Sequence, residues 1–422
     1  MTGVRGARRG QGAPAEVRPT LRSTQFPLLW IGVFSYLLIG SAERFTFVWL
    51  VIEDLDGPSW ASGLVLFALG APVFLFVLPA GALADRVDRR RLLMTTQLAG
   101  AAVTAAAAVA VAVGVMNLGI ALVTAALLGT TLAFGQPVRS SLVPAVVPQE
   151  LLLRAIVTMT IGMNVAMIVG PFLGGIIIRR VGIQWAFAIE AALFLVGFVT
   201  VWPLRLPAHA ASATAAPLRI GALARSIVDG LRFVWFHPTL RALFALLMVG
   251  GMLMMGGSNL LLPEIAKDVF ARDADEASRL FAFMGVGMTC VSVFLLVRGG
   301  ITRKGLVFLS SMVVGTAIQV LQGMAPSYLL LAALLFCWGG SGGFYLNLNQ
   351  TLIQSATPAE MMGRVMSLHT LCQVGLAPLG SLVGGVLATG VGPQAALSAF
   401  GAIGLVLVLV TFARASALRA VA

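Results

Sequence analysis

The chain has 422 residues, 59% of them hydrophobic and only 10% charged, against about 25% charged in ordinary soluble domains. With a mean hydropathy of +0.97 it lacks the polar side chains to cover a water-facing surface, which excludes a soluble globular enzyme, a disordered chain and a fibrous repeat. The net charge of +12 would point to nucleic acid on a soluble domain, but the positions of the charges point elsewhere.

Residues 1–25 form a basic tail with Arg5, Arg8, Arg9, Arg18 and Arg22. The first apolar run, 26–52, is too long for a signal-peptide core and has no small-residue cleavage pattern, so it reads as a retained span. A bilayer-crossing helix needs about 20 apolar residues. Further runs of that length follow at 60–83, 92–115, 117–140, 155–178, 183–205, 240–263, 279–298, 305–324, 327–350, 365–390 and 394–413. Between the sixth and seventh lies the longest polar stretch, Pro207 to Pro238, which turns amphipathic near Ile227–Phe236.

An even number of spans puts both termini on one side. Counted by alternate connections, 22 of the 28 basic residues fall on that side, Arg139 among them, while Glu53, Asp54, Asp56, Glu264, Asp268, Asp273, Asp275 and Glu276 fall on the other. The positive-inside rule then places both termini in the cytoplasm of a multi-pass cell-membrane protein. The charge is a topology signal, and no nucleic-acid partner is expected. Cys290, Cys337 and Cys372 lie in apolar stretches without CxxC spacing and read as small core residues. His209, His237 and His369 are too scattered for a metal site.

The halves echo each other. Pro148-Gln-Glu150-Leu-Leu-Leu-Arg154 precedes span five, and Pro358-Ala-Glu360-Met-Met-Gly-Arg364 precedes span eleven, 210 residues on. Gly174-Gly175 recurs at the same offset as Gly384-Gly385. The expected architecture is all-α and integral to the membrane: twelve transmembrane helices in two pseudo-symmetric six-helix bundles, 26–206 and 239–414, joined by a cytoplasmic linker at 207–238 and ending in a tail at 415–422.

After span two comes Gly81-Ala-Leu83-Ala-Asp85-Arg86-Val-Asp88-Arg89-Arg90-Arg91. It resembles the loop signature of the major facilitator superfamily, with Asp88 where that family usually has a small residue. Phe134-Gly-Gln-Pro137-Val-Arg139 at the end of span four, Asp229-Gly-Leu-Arg232-Phe in the linker and Gly363-Arg364-Val-Met-Ser367 entering span eleven narrow the resemblance. They look like the branch of drug and siderophore exporters related to the enterobactin exporter and macrolide efflux proteins. The resemblance implies a latch in which Gly81, Asp85, Arg86, Arg89 and Arg90, with Arg139 and Arg364, hold the cytoplasmic side closed through charge-assisted contacts. An ordinary arginine-rich loop is the plainer reading. Gly170-Pro171-Phe-Leu-Gly174-Gly175 in span five resembles the core of the antiporter motif, with Ala166 in place of its upstream glycine. Proline bends a helix and glycines admit a close neighbour, which suits a gate or simple packing.

Few ionisable residues lie inside the spans. An acid in hydrocarbon costs at least about 2.5–3.5 kcal/mol unless paired or hydrated, so Glu43, in span one beside Arg44, is the first candidate for proton coupling. Arg44 is expected to snorkel outward while Glu43 faces in. Glu190, on what reads as the peripheral span six, and His369 are weaker candidates. Neutral polar groups mark a candidate cavity: Tyr36, Asn164, Asn259, Tyr345, Gln373 and a face of span ten with Asn347, Gln350 and Gln354. Interhelical hydrogen bonding is the competing role for each.

No Walker loop, nucleophile or metal constellation is present in the sequence. Neither an enzyme nor a cofactor is expected, and the transmembrane proton gradient is the expected energy source. The expected function is a monomeric secondary transporter exporting hydrophobic or amphiphilic small molecules, with the bilayer as its solvent. A lipid or lysophospholipid translocator and a non-transporting receptor or scaffold are the alternatives.

Overall fold

A computed structural model of the chain describes residues 21, 24–84, 87–204, 220–298, 302–358 and 360–419. Twelve helices in it are long and apolar enough to cross a membrane, and no strand occurs among the described residues. The first six are α1 (Phe26–Asp54), α2 (Ser59–Ala84), α3 (Arg89–Ala112), α4 (Leu118–Val146), α5 (Leu152–Val181) and α6 (Ile183–Val201). An amphipathic helix, α7 (Ile220–Phe236), stands between them and α8 (Pro238–Val269), α9 (Ala274–Arg298), α10 (Lys304–Gly323), α11 (Tyr328–Ser355), α12 (Met362–Val391) and α13 (Pro393–Arg414). A short α14 (Ser416–Arg419) follows. Of the segment expected as a linker, 207–219 lies outside the described residues.

Hydrocarbon offers the backbone no hydrogen bonds, so each span must be helical and each end must be finished locally. Asp88 caps α3 by accepting from the Arg91 N–H at 3.0 Å, and Asn117 caps α4 by accepting from Ile120 at 3.0 Å. The departure at Asp88 thus supplies a helix start. Gly182 and Gly392, 210 residues apart, take φ of 99° and 85° and turn α5 into α6 and α12 into α13 within one residue. A second pair of matching ends is not visible as a motif. α1 and α8 both finish in a π-helical turn, Leu50–Asp54 and Ile265–Val269, followed by a left-handed residue, Asp56 and Ala271.

Helix pairing repeats between the halves. α1 packs on α5 and α6, α2 on α4, and α3 on α6; α8 packs on α12, α9 on α11, and α10 on α13. The halves meet where α2 packs on α12 and α5 on α9, with α1 and α2 also reaching α8. Gly175 and Gly385, equivalent in the repeat, sit at these two seams. A Cβ on Gly175 would run into the Ala274 carbonyl and Ser278 of α9, and one on Gly385 into the Ser59 carbonyl of α2.

Ion pairs close the same end of the seams. Arg179 of α5 binds Asp275 at 2.8 Å and Asp273 at 3.2 Å, and Lys267 of α8 binds Glu53 of α1 at 2.9 Å. Lys267 also donates to the Ile52 carbonyl, inside the π-turn of α1. This end carries the acids and is called the acidic end below.

A second π-segment, Val249–Gly256, interrupts α8. Two carbonyls along it are taken by neighbours: Gln319 Nε2 of α10 donates to Leu253 at 2.8 Å, and Ser381 Oγ of α12 donates to Gly256 at 2.8 Å. The methionine-rich run Met252–Met255 lies in this segment, with Met254 buried. α7 buries Val234 and exposes Leu231, Trp235 and Phe236, the pattern of an interfacial helix. Its Asp229 lies 3.6 Å from Arg364 at the start of α12.

One expectation is corrected. Cys290 and Cys337 are exposed, and Cys372 is half-buried. An apolar stretch does not imply burial in protein where lipid is the solvent.

The seam gives a direct expectation. Gly385→Val forces β-branched bulk against the α2 backbone and should destabilise by about 1–3 kcal/mol, lowering the thermal midpoint. Gly390→Val, on the same helix with nothing within 4 Å of its Cβ position, should stay within about 0.5 kcal/mol of the parent. Equal losses would contradict the close approach.

Candidate functional site

α1 brings the ionisable candidates together. Tyr36, Glu43 and Thr46 stand at i, i+7 and i+10, close to one face of the helix. α6 packs against α1: Phe47 meets Phe187 edge to face at 5.5 Å, and Gly32 lies against Gly197. That register delivers Glu190 to α1, where its Oε1 accepts from Thr46 Oγ1 at 3.0 Å. Glu43 is 0% exposed and Glu190 3% exposed, and the two carboxyl groups are electrostatic neighbours. Neither oxygen of Glu43 has a hydrogen-bond partner, and Glu190 Oε2 has none either. Arg44, next in sequence, is exposed and turns back onto the Gly40 carbonyl. The expected contrast between an exposed arginine and a buried acid is what the helix shows, but the guanidinium bends back along α1 rather than snorkelling toward the acidic end.

Burying an unpartnered carboxylate costs several kcal/mol. Glu190 has one hydroxyl donor, Thr46, and Glu43 has none, so a charge on either acid is poorly supported while the site is dry. What this arrangement can do is take up and release a proton as water reaches or leaves it.

Arg139 is a correction. Counted as a connection residue on the arginine-rich side, it lies within α4 and is only 5% exposed. Its guanidinium carbon sits 3.5 Å above the centre of the Tyr36 ring, whose hydroxyl donates to the Leu132 carbonyl at 3.2 Å. Contact with an aromatic face offsets part of the desolvation cost, about 2 kcal/mol in dry surroundings. Arg139 is thus joined to the α1 face that bears Glu43. Glu264 is a second correction. Counted among the acids of the far connection, it is 0% exposed inside α8.

The remaining candidates are spread out. Asp85 and Arg86 lie outside the described residues. Gly81 lies in α2; Arg90 donates to the Trp202 carbonyl at the end of α6, and Arg89 is in the first turn of α3. Arg364 faces Asp229 of α7. Gly170 packs on Ser41 and Leu38 of α1, Pro171 lies inside α5, and Gly174 makes only ordinary contact with α1. His369 is buried away from the carboxyl pair, its Nε2 donating to Asn349 Oδ1 at 3.2 Å. Tyr345 is buried, stacks on Phe308 and donates to the Leu247 carbonyl at 3.5 Å. Asn347, Gln350 and Gln373 are exposed, and Asn164 and Asn259 are half-buried. Asn347 Nδ2 donates to the Gly343 carbonyl at 2.7 Å.

Sequence reading missed Thr46 as the partner of Glu190. Its position three residues after Glu43 was the available signal.

Residues 17–421 match the family described as transmembrane secretion effector. The chain is 28% identical over 382 residues to the multidrug efflux pump Tap of Mycolicibacterium fortuitum, covering 87% of this chain and 91% of that protein. It is 26% identical over 412 residues to the enterobactin exporter EntS of Shigella boydii serotype 18, covering 94% and 92%. Among solved structures it is similar to the nucleoside transporter NupG, with TM-score 0.71 and 15% identity over 92% of this chain and 98% of that one. It is also similar to a peptide transporter, POT, in complex with sulfate, with TM-score 0.68 and 16% identity over 93% and 94%. At such identities the structural likeness establishes the fold.

The Thr46–Glu190 bond is testable by itself. Thr46→Val keeps the shape, removes the donor and should cost about 1–3 kcal/mol, read as a lowered thermal midpoint. Thr46→Ser should retain most of the stability. A Val variant as stable as the parent would contradict the bond.

Proposed function

Because the chain belongs to the transmembrane secretion effector family, within the major facilitator superfamily, we propose that it exports hydrophobic or amphiphilic small molecules, drugs or siderophores, across the cell membrane in exchange for protons. The observation that carries the proton half of this reading is the Glu43–Glu190 pair, buried with three of its four oxygens unpartnered. The efflux half is supported by the relatives, a multidrug pump and a siderophore exporter matched over nearly their whole lengths.

The orientation follows from charge. The arginine-rich end faces the cytoplasm with both termini, and the acidic end faces outward. Alternating access is then a rocking of the two halves about the α2–α12 and α5–α9 seams. Opening outward parts the Arg179–Asp275 and Lys267–Glu53 pairs and lets a proton reach the carboxyl pair. Closing that end dries the pair in its neutral form. Opening inward hydrates it, and the charged form, now solvated, gives its proton to the cytoplasm as substrate loads. Tyr36, on the same face of α1, and Arg139 of α4, stacked on it, place an aromatic ring and a fixed positive charge near this exchange. The exposed amides Asn347, Gln350 and Gln373 are the polar groups we assign to the substrate path.

The test is substrate flux in proteoliposomes with and without an imposed pH gradient, using a panel of dyes, antibiotics and siderophores. The parent should concentrate at least one of them when the gradient is imposed. Glu43→Gln and Glu190→Gln mimic the protonated pair and should lose gradient-driven accumulation by about tenfold or more, equivalent to about 1.4 kcal/mol, while downhill exchange survives. Gln variants that accumulate substrate as well as the parent would make the pair structural. Preferential movement of a labelled lysophospholipid would favour the lipid translocator instead.

A further inference from the structure

We propose that Glu264 is a second proton-binding site, set in the seam between α2 and α8, and that a proton bound there holds the acidic end closed. The proposal rests on the reading that this seam opens during transport, and it concerns a group separate from the Glu43–Glu190 pair.

Glu264 is 0% exposed, and neither of its oxygens has a hydrogen-bond partner. The polar groups beside it are the hydroxyls of Ser59 and Ser62, from the first turn of α2 in the other half of the molecule. Ser62 is itself 0% exposed and its Oγ is also without a partner. The free N–H groups of that helix start do not reach the carboxyl: Trp60 donates to Thr389 Oγ1 at 3.1 Å, and Ala61 to the Pro58 carbonyl at 2.8 Å. The neighbouring cation is engaged elsewhere, since Lys267 binds Glu53 and the Ile52 carbonyl. The charged group that acts on Glu264 is Asp268, of like sign and one turn further along α8.

A carboxylate placed there would have no counter-ion, a negative neighbour and only the Ser59 and Ser62 hydroxyls as donors, too little to offset full burial of the charge, so the closed seam favours the acid form. As a neutral acid, Glu264 becomes a donor that the Ser59 or Ser62 oxygen can accept across the seam. Four oxygens, two of one carboxyl and two of hydroxyls, are too few to replace the water around a metal cation, which leaves the proton as the ligand. When α2 and α8 part, water solvates the charge and the proton leaves toward the acidic end. The closed state therefore binds one more proton than the open one. By linkage, acid on that side favours closure and alkali favours opening.

The test uses the full chain in nanodiscs, with Cys290, Cys337 and Cys372 replaced by serine. Spin labels go on Val115→Cys and Met324→Cys, exposed sites at the acidic end of opposite halves. Distance distributions are recorded from about pH 5.5 to about pH 8.5. One linked proton moves the open-to-closed ratio of the parent by up to about tenfold per pH unit. Glu264→Gln, which keeps the shape of the neutral acid, should stay closed and change by less than about twofold over the whole range. Glu264→Leu should be equally insensitive to pH and serves if the Gln variant folds poorly. The Glu43→Gln/Glu190→Gln double variant should keep the response. The proposal is overturned if Glu264→Gln titrates like the parent, if the response disappears only in the double variant, or if the parent does not respond. It is also overturned if sodium at constant pH produces the same closure. Failure of the coupling reading shows separately, as gradient-driven flux that survives in the Gln variants of the pair.

Discussion

An acid with little water and few partners cannot keep its charge cheaply, and among the described residues Glu43, Glu190 and Glu264 are in that position. Glu43 and Glu264 are 0% exposed with both oxygens unpartnered, and Glu190 is nearly as buried with one oxygen bound to Thr46. The pair lies where α1 packs on α6 within the first half, and Glu264 lies where α2 meets α8 across the two halves. The protein keeps these groups where packing alone would favour Leu or Met, since replacing a buried polar group by an apolar one of similar shape is often neutral or stabilising. Their retention has a simple physical use. On the proposed reading, burial makes protonation depend on which side of the membrane has access, and that dependence is what couples a proton to a conformational change.

The rest of the fold can be read as the apparatus that keeps those junctions dry in one state and wet in another. The seams are narrow because Gly175 and Gly385 carry no side chain where backbones meet, and their equivalence in the repeat makes both seams alike. The acidic end is fastened by ion pairs that are partly exposed, such as Arg179–Asp275 and Lys267–Glu53. Exposed pairs contribute at most about 1 kcal/mol each, so they can part without a large barrier. The π-turns at the ends of α1 and α8 are placed at this same end, and the one in α1 offers its Ile52 carbonyl to Lys267. A π-turn carries irregular backbone at low cost where a neighbour satisfies its free groups.

Much of this was legible in the sequence. Twelve apolar runs became twelve long apolar helices, and the 210-residue echo of Gly174-Gly175 reappeared as two equivalent seams. Glu43 was identifiable because a charge among residues 26–52 has no cheap explanation, and Arg44 beside it resolved the direction each faces. What the sequence did not reveal are contacts between helices. A span that is apolar all round shows no periodic stripe, so its pattern cannot say which side faces protein. Glu190 looked peripheral because span six does, until the α1–α6 register placed it at Thr46. Arg139 and Glu264 lie near the ends of apolar runs, where a shift of a few residues decides between connection and interior, and both proved to be interior. The cysteines erred in the other direction, because apolar surface facing lipid looks like core.

The central claim is that proton and substrate compete for one transporter through the Glu43–Glu190 pair. It is tested most directly by following the pH of a weakly buffered detergent solution while a transported dye is titrated into the purified protein. Linkage requires that a ligand favouring the deprotonated pair expel its proton. The parent should release about one proton per dye bound, and the Glu43→Gln/Glu190→Gln double variant should bind dye and release none. Equal release from both proteins, or dye binding with no release from the parent, would contradict the account.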